Sequence, residues 1–195
     1  MLAACCPPSN AQPESLISRT EFEQIFPGHL GFYSYDDFAA FTSFRNRREA
    51  AMLLANIYHE TTGLTLIDED PRYRGVYCDL NRAGGCPAGR DAYFGRGPIQ
   101  LSWNWNYKDA GDALGLDLLH DPGLVSRDPA VAWRTTGWFW SSVPPNATFA
   151  DINRKINGPQ ECHAGGIRES VQSRVNAYLR ITKILGVDPG GNLYC

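Results

Sequence analysis

Glu49-Ala50-Ala51-Met52-Leu53-Leu54-Ala55-Asn56-Ile57-Tyr58-His59-Glu60-Thr61-Thr62-Gly63 is the stretch on which the fold turns. Ala50, Leu54, Ile57 and Tyr58 recur at helical spacing, so Glu49–Thr62 reads as a helix with one apolar face. Gly63 supplies its stop. On a helical wheel Glu60 falls on the line of Leu53, Asn56 and Ile57, at the margin of that face. A carboxylate there is partly desolvated, which favours its protonated form and suits a general acid. Beyond the glycine, Glu69 lies in the acidic patch Asp68-Glu69-Asp70, where a solvated carboxylate can act as a base toward a water. Two carboxylates in two different environments are the arrangement that glycosidic bond cleavage uses. The ordinary structural explanations are a helix-end glutamate bonded to a loop amide and a solvated loop charge.

The helical period dominates the rest of the chain, and alternating strand patterns are nearly absent. Ser34, with Asp37 three residues on, caps a helix over Tyr35–Arg45. A loop rich in Gly, Pro, Arg and Tyr runs from Gly63 to Gly97, and loops of that length are usually functional. Ser102 is placed to cap a helix through about Leu114, with Gly115 at its end. Asp128-Pro129 opens another helix, through Trp133, Thr136 and Phe139. Thr148 with Asp151 caps a short helix to Ile156, where Asn157-Gly158 is a turn signal. The longest helix spans Ile167–Leu185 and ends at Gly186. The chain is expected to be mainly α, with long structured loops.

At 195 residues the sequence suits one sizeable core. A formal charge of −3 gives no electrostatic reason to expect nucleic acid or an anionic membrane as a partner. No apolar stretch approaches the roughly 18–20 residues of a membrane span. Aromatic content of 12%, with five Trp and nine Tyr, fits either a Trp-rich core or a surface that stacks sugar rings. Residues 1–15, with Pro7, Pro8 and Pro13, read as a disordered lead-in or linker, and Met1–Cys6 as a trimmed leader. Residues 16–195 read as one domain.

Six cysteines carry more information. None forms a C-x-x-C pair, so a zinc knuckle or redox motif is not indicated, and no metal or cofactor is expected. Disulfides in a secreted protein are the better reading. Proximity pairs Cys78 with Cys86, which leaves Cys162 for Cys195. The chain-entropy model assigns these loops about 2.6 and about 3.8 kcal/mol.

His59-Glu60 opens like the zinc-protease motif H-E-x-x-H, but the fifth position is Gly63, so the second ligand is missing. His29, His120 and His163 are scattered, and His59 reads as a packing or supporting histidine beside the site. A second constellation is Ala92-Tyr93-Phe94-Gly95-Arg96-Gly97-Pro98-Ile99-Gln100-Leu101-Ser102-Trp103-Asn104-Trp105-Asn106-Tyr107. Its glycines allow close backbone approach, and its aromatics alternate with amides and a hydroxyl, as in sugar-binding surfaces. Its spacing meets neither phosphate-loop pattern. A third is Ile156-Asn157-Gly158-Pro159-Gln160-Glu161-Cys162, followed by Arg174 on the long helix.

Together, His59-Glu60-Thr61-Thr62-Gly63, Tyr93 to Ser102 and Ile156-Asn157-Gly158 with Glu161-Cys162 resemble the family 19 chitinases. The closing Leu185-Gly186-Val187 and Asn192-Leu193-Tyr194-Cys195 are similar too, so the likeness covers nearly everything from Leu16 to Cys195. The resemblance implies an inverting, endo-acting hydrolase of β-1,4-linked N-acetylglucosamine polymers, with chitin or its oligosaccharides as partner. It also implies a two-lobed, lysozyme-like helical fold with a substrate cleft, working as a secreted monomer. By position it makes Glu60 the general acid and Glu69 the general base, as in the short bacterial-type members, with Ser102 holding the water. Tyr93, Gln100, Asn106 and Asn157 match sugar-contacting positions, with His59 and Trp103 as further substrate-binding candidates. Glu161 and Arg174 match charged residues lining the cleft. Pro159 stands where many members have a second glycine. A peptidoglycan-cleaving lysin of the same fold shares the same catalytic residues, and an inactive chitin-binding lectin is the alternative from another class.

Overall fold

A computed structural model describes residues 15–162 and 168–195. The expected lead-in falls outside the described residues, but for Ser15. Among the described residues eight helices follow one another: α1 (Arg19–Ile25), α2 (Tyr35–Phe41), α3 (Arg47–Glu60), α4 (Asn104–Leu114), α5 (Leu124–Arg127), α6 (Pro129–Ser141), α7 (Phe149–Glu161) and α8 (Glu169–Leu185). Among the described residues there is no sheet; the only β pairings are isolated bridges, Asp68 with Arg96 and Arg96 with Leu101.

Local chemistry explains most helix ends. Asp128 Oδ1 accepts from the amides of Ala130 and Val131, with Pro129 at the first helical position of α6. Thr148 and Asp151 cap each other reciprocally at the start of α7. α3 begins two residues before Glu49, because Asn46 Oδ1 accepts the Glu49 amide. α2 stops at Phe41 rather than Arg45: Thr42 turns extended, and Arg45 leaves the helix to pair with Glu49 through Nε and Nη2, one edge of its guanidinium. α7 does run past Ile156, but the turn expected at Asn157 survives as a kink, with φ −145° and ψ 30° inside the helix. The start of the last helix at Ile167 falls outside the described residues; α8 is seen from Glu169.

The expected Ser102 cap is not made. Trp103 stands at the N-cap of α4 with φ 74°, and no side chain caps the helix. The Asn104 amide donates instead to Tyr77 O at 3.1 Å, so the long loop supplies the acceptor. A bulky residue at positive φ costs about 1–3 kcal/mol and persists only where its surroundings hold it.

Packing divides the helices into two groups. α8 packs against α3, α1 and α7, and α6 packs against α2, α4 and α5. An aromatic cluster joins them: Phe22 of α1 lies 5.1 Å from Phe38 of α2, which lies 5.4 Å from Trp133 of α6. All three side chains are fully buried. On α6, Gly137 permits close contact with α2, since a Cβ there would sit 2.1 Å from Phe41 O. The segment between α3 and α4 crosses from one group to the other and carries the Cys78–Cys86 disulfide; Cys162–Cys195 ties the C-terminus to the end of α7. No described helix is long and apolar enough to cross a membrane.

Candidate active site

Glu60 is the last residue of α3 and keeps 20% of its side chain exposed, so a substrate can reach it from above. Beneath it lies Arg174 of α8, which is 1% exposed. Arg174 Nη2 donates to Glu60 Oε1 at 2.6 Å. The same guanidinium grips Glu161 through two bonds, Nε to Oε2 and Nη2 to Oε1, both 2.9 Å. Its Nη1 donates to Asn56 Oδ1, one turn before Glu60 on α3. Asn157, turned by the kink in α7, donates Nδ2 to Glu161 Oε1 at 2.9 Å.

One cation therefore serves two carboxylates, and the geometry decides which of them holds a proton. Burial alone would raise the Glu161 pKa, but its bidentate bond to Arg174 and the Asn157 amide outweigh it and hold it below the usual range. Burial pushes the Glu60 carboxyl up; Arg174 opposes this, and the charges of Glu161 and Glu69 add to the rise. Of the two, Glu60 is the one whose proton is held more tightly than usual. His59 is lowered to about 4, by burial first and then by Arg174 against the pull of Glu161. It stands as a neutral ring with Nδ1 3.0 Å from Ser173 Oγ, and it is not a metal ligand in this arrangement.

Glu69 is held at every polar atom. Its amide donates to Gly95 O at 2.8 Å, and its carbonyl accepts Arg74 Nε at 2.8 Å. Oε2 accepts the Gly95 amide at 3.0 Å, and Oε1 accepts the Tyr77 hydroxyl at 2.7 Å. The acidic patch is thus not the freely solvated loop that its composition suggests. Arg74 and Arg96 each place a guanidinium 3.6 Å from the Phe94 ring centre, which fixes the loop beside the carboxylate. The backbone of Arg96 pairs with Leu101 in both directions, so Gly95 lies opposite Ser102. Gly95, which bonds to Glu69 through both its amide and its carbonyl, therefore stands between Ser102 and Glu69 in the pairing. Ser102 Oγ is half-buried, and among the described residues no protein group bonds to it. Asn106 Nδ2 donates to Ser102 O at 2.9 Å and orients that backbone.

The remaining expected contacts divide. Gln100 braces the loop, donating Nε2 to Ile67 O and Gly97 O. Trp103 stacks on Trp105 with centres 4.4 Å apart and meets the Tyr77 ring at 5.5 Å. Tyr93 requires correction. It is fully buried, its hydroxyl donates to Leu119 O and accepts the Ala88 amide, and it offers a sugar no surface. Glu161 and Arg174, expected to line a cleft, are buried under Glu60 and act through it. Tyr77, Arg74, Gly95 and Asn56 belong to the site as well. Only Asn56 announces itself locally, four residues before Glu60 on one helix face.

A family profile described as Chitinase class I, glycoside hydrolase family 19, matches residues 16–148. An endochitinase of Arabidopsis thaliana is 40% identical over 95% of this chain and 71% of its own. A basic endochitinase of Brassica napus is 42% identical over 97% of this chain and 76% of its own. Among solved structures, chitinase C from Streptomyces griseus superposes with a TM-score of 0.85 at 45% identity, covering 95% of this chain and all of that one. A class IV chitinase from Zea mays gives a TM-score of 0.80 at 32% identity, over 92% and 98% of the two chains. With its mainly helical, lysozyme-like fold, the chain belongs to glycoside hydrolase family 19.

Proposed function

We propose that this chain is an endochitinase, cleaving β-1,4-linked N-acetylglucosamine polymers internally and with inversion, and that residues 16–195 form its catalytic domain. One observation carries the reading. Glu60 is pushed by burial toward its protonated form, whereas Glu69 accepts hydrogen bonds at both carboxylate oxygens, from the Tyr77 hydroxyl and the Gly95 amide, which leaves its remaining lone pairs for a water. That is the division of roles an inverting glycosidase needs.

Glu60 donates its proton to the glycosidic oxygen as the bond to the anomeric carbon breaks. A water held by Ser102 attacks that carbon from the opposite face and passes its proton to Glu69. Exchange with solvent then restores both groups. The carboxylate left on Glu60 is compensated by Arg174 at 2.6 Å, so the site does not have to rearrange to accept the charge. Relatives carrying the name endochitinase support chitin over peptidoglycan as the substrate. The two disulfides support an extracellular location.

The test is incubation with a chitin hexamer, following product length and anomeric form. The reading expects internal cleavage with the α-anomer appearing first, and no turnover by Glu60→Gln despite retained oligosaccharide binding. First release of the β-anomer, or a Glu60→Gln variant that keeps appreciable activity, would refute it.

A further inference from the structure

We infer that Tyr77 is a positioning residue for this reaction, fixing the plane of the Glu69 carboxylate so that its free lone pairs face the attacking water. The inference rests on the reading of Glu69 as the base. A terminal glutamate torsion is broad and nearly two-fold, so a carboxylate held at one oxygen can still pivot. Glu69 is held at both: the Gly95 amide reaches Oε2 at 3.0 Å and the Tyr77 hydroxyl reaches Oε1 at 2.7 Å. The first donor is backbone and cannot adapt. The second therefore decides the plane. A carboxylate has about four acceptor positions. Two are occupied here, which leaves one on each oxygen for the water beside Ser102.

Tyr77 is itself held on several sides. Its carbonyl accepts the first amide of α4, from Asn104, at 3.1 Å. Its ring meets Trp103 edge-on, and the next residue, Cys78, is bonded to Cys86. Asn104, fully buried, staples the disulfide loop, donating Nδ2 to Asp79 O and Gly85 O and accepting the Asp79 amide. The residues just before Tyr77 are, by contrast, exposed, from Pro71 through Val76. Tyr77 is half-buried, its ring packed against the edge of the core. These contacts give the hydroxyl a fixed place in front of Glu69. Burial, and then the bond to Glu69, push the Tyr77 phenol up to about 12, so it remains a donor throughout the range in which the enzyme works. The Glu60 and Glu69 charges act on each other, and Arg74 Nε donates to the Glu69 backbone carbonyl.

The experiment compares Tyr77→Phe, Glu69→Gln and the parent protein on a soluble chitin oligomer across pH. For Tyr77→Phe, kcat is expected to fall about tenfold with KM within about twofold, the signature of an interaction made mainly in the transition state. The melting temperature should change little, since the ring and its packing are kept. A raised KM with unchanged kcat would make Tyr77 a sugar contact and overturn the inference. So would a parental kcat in Tyr77→Phe while Glu69→Gln is inactive. If Glu69→Gln itself keeps full activity, it is the assignment of the base that fails, and the inference falls with it.

Discussion

Replacing Glu161 by Gln isolates one of the charges that raise the Glu60 pKa. Arg174 Nη2 lies 2.6 Å from Glu60 Oε1 and 2.9 Å from Glu161 Oε1, so the two oxygens are no more than about 5.5 Å apart. At an effective dielectric constant of about 20, two unit charges at that separation repel by about 3 kcal/mol, or about two pH units of proton affinity. The substitution keeps the amide volume and leaves Arg174 in place, but its charge then falls on Glu60 alone. The basic limb of kcat/KM, which follows deprotonation of the general acid in the free enzyme, should move about two units toward acid. The assay is the pH–rate profile on a chitin oligomer. A melting curve at each pH separates lost activity from lost folding, because breaking a buried ion pair also destabilises. A uniform loss of rate with the basic limb in place would refute the argument, since it would mean that Glu161 supports structure without setting the proton on Glu60.

Three further outcomes follow from named contacts. Ser102→Ala should lower kcat by about 10²-fold with little change in KM, as expected for loss of a group that orients the water in the transition state; steady-state kinetics on the hexamer read it directly. Gly137→Ala should destabilise by about 1–3 kcal/mol, because its Cβ would meet Phe41 O at 2.1 Å and force α2 away from α6; urea unfolding measures this, and an unchanged midpoint would contradict it. Glu60→Gln should be more stable than the parent at pH 8 and equal to it near pH 4, read as melting temperature. The folded state raises the Glu60 pKa above its ordinary value of 4.5, so the stability that its proton brings is complete below that value and is lost as pH rises through the folded one. Gln has no proton to lose, so a parent and variant whose melting temperatures fall equally with pH would show the sign to be wrong.

What the sequence makes legible here is what is local. The spacing of Ala50, Leu54 and Ile57 predicts α3, Asp128-Pro129 predicts the start of α6, and Gly186 predicts the end of α8, because caps and periods act within a turn or two. Ser18 and Glu21 form a capping box as well, but the seven-residue α1 is too short for its two buried positions, Phe22 and Ile25, to register as a period. The pair Glu60 and Glu69 is legible for the same reason: each carries its own signal, one on a helix margin and one past a glycine stop. Their partners are not. Arg174 is 114 residues from Glu60, and Gly95 is 26 from Glu69, so nothing local distinguishes Arg174 from a solvated helix charge or Gly95 from a turn glycine. Tyr93 and Tyr77 show the converse. Both are tyrosines near glycine-rich turns, yet one hydroxyl is spent on Leu119 inside the core and the other on the base. Residue type announces that a hydroxyl is available; only the tertiary path of the loop decides what receives it. The same holds for the proton. A carboxylate on an apolar margin is enough to predict an acid, because burial is the largest cause of the raised Glu60 pKa, but the sequence does not show that Arg174 opposes that rise or that Glu161, held by the same arginine, adds to it.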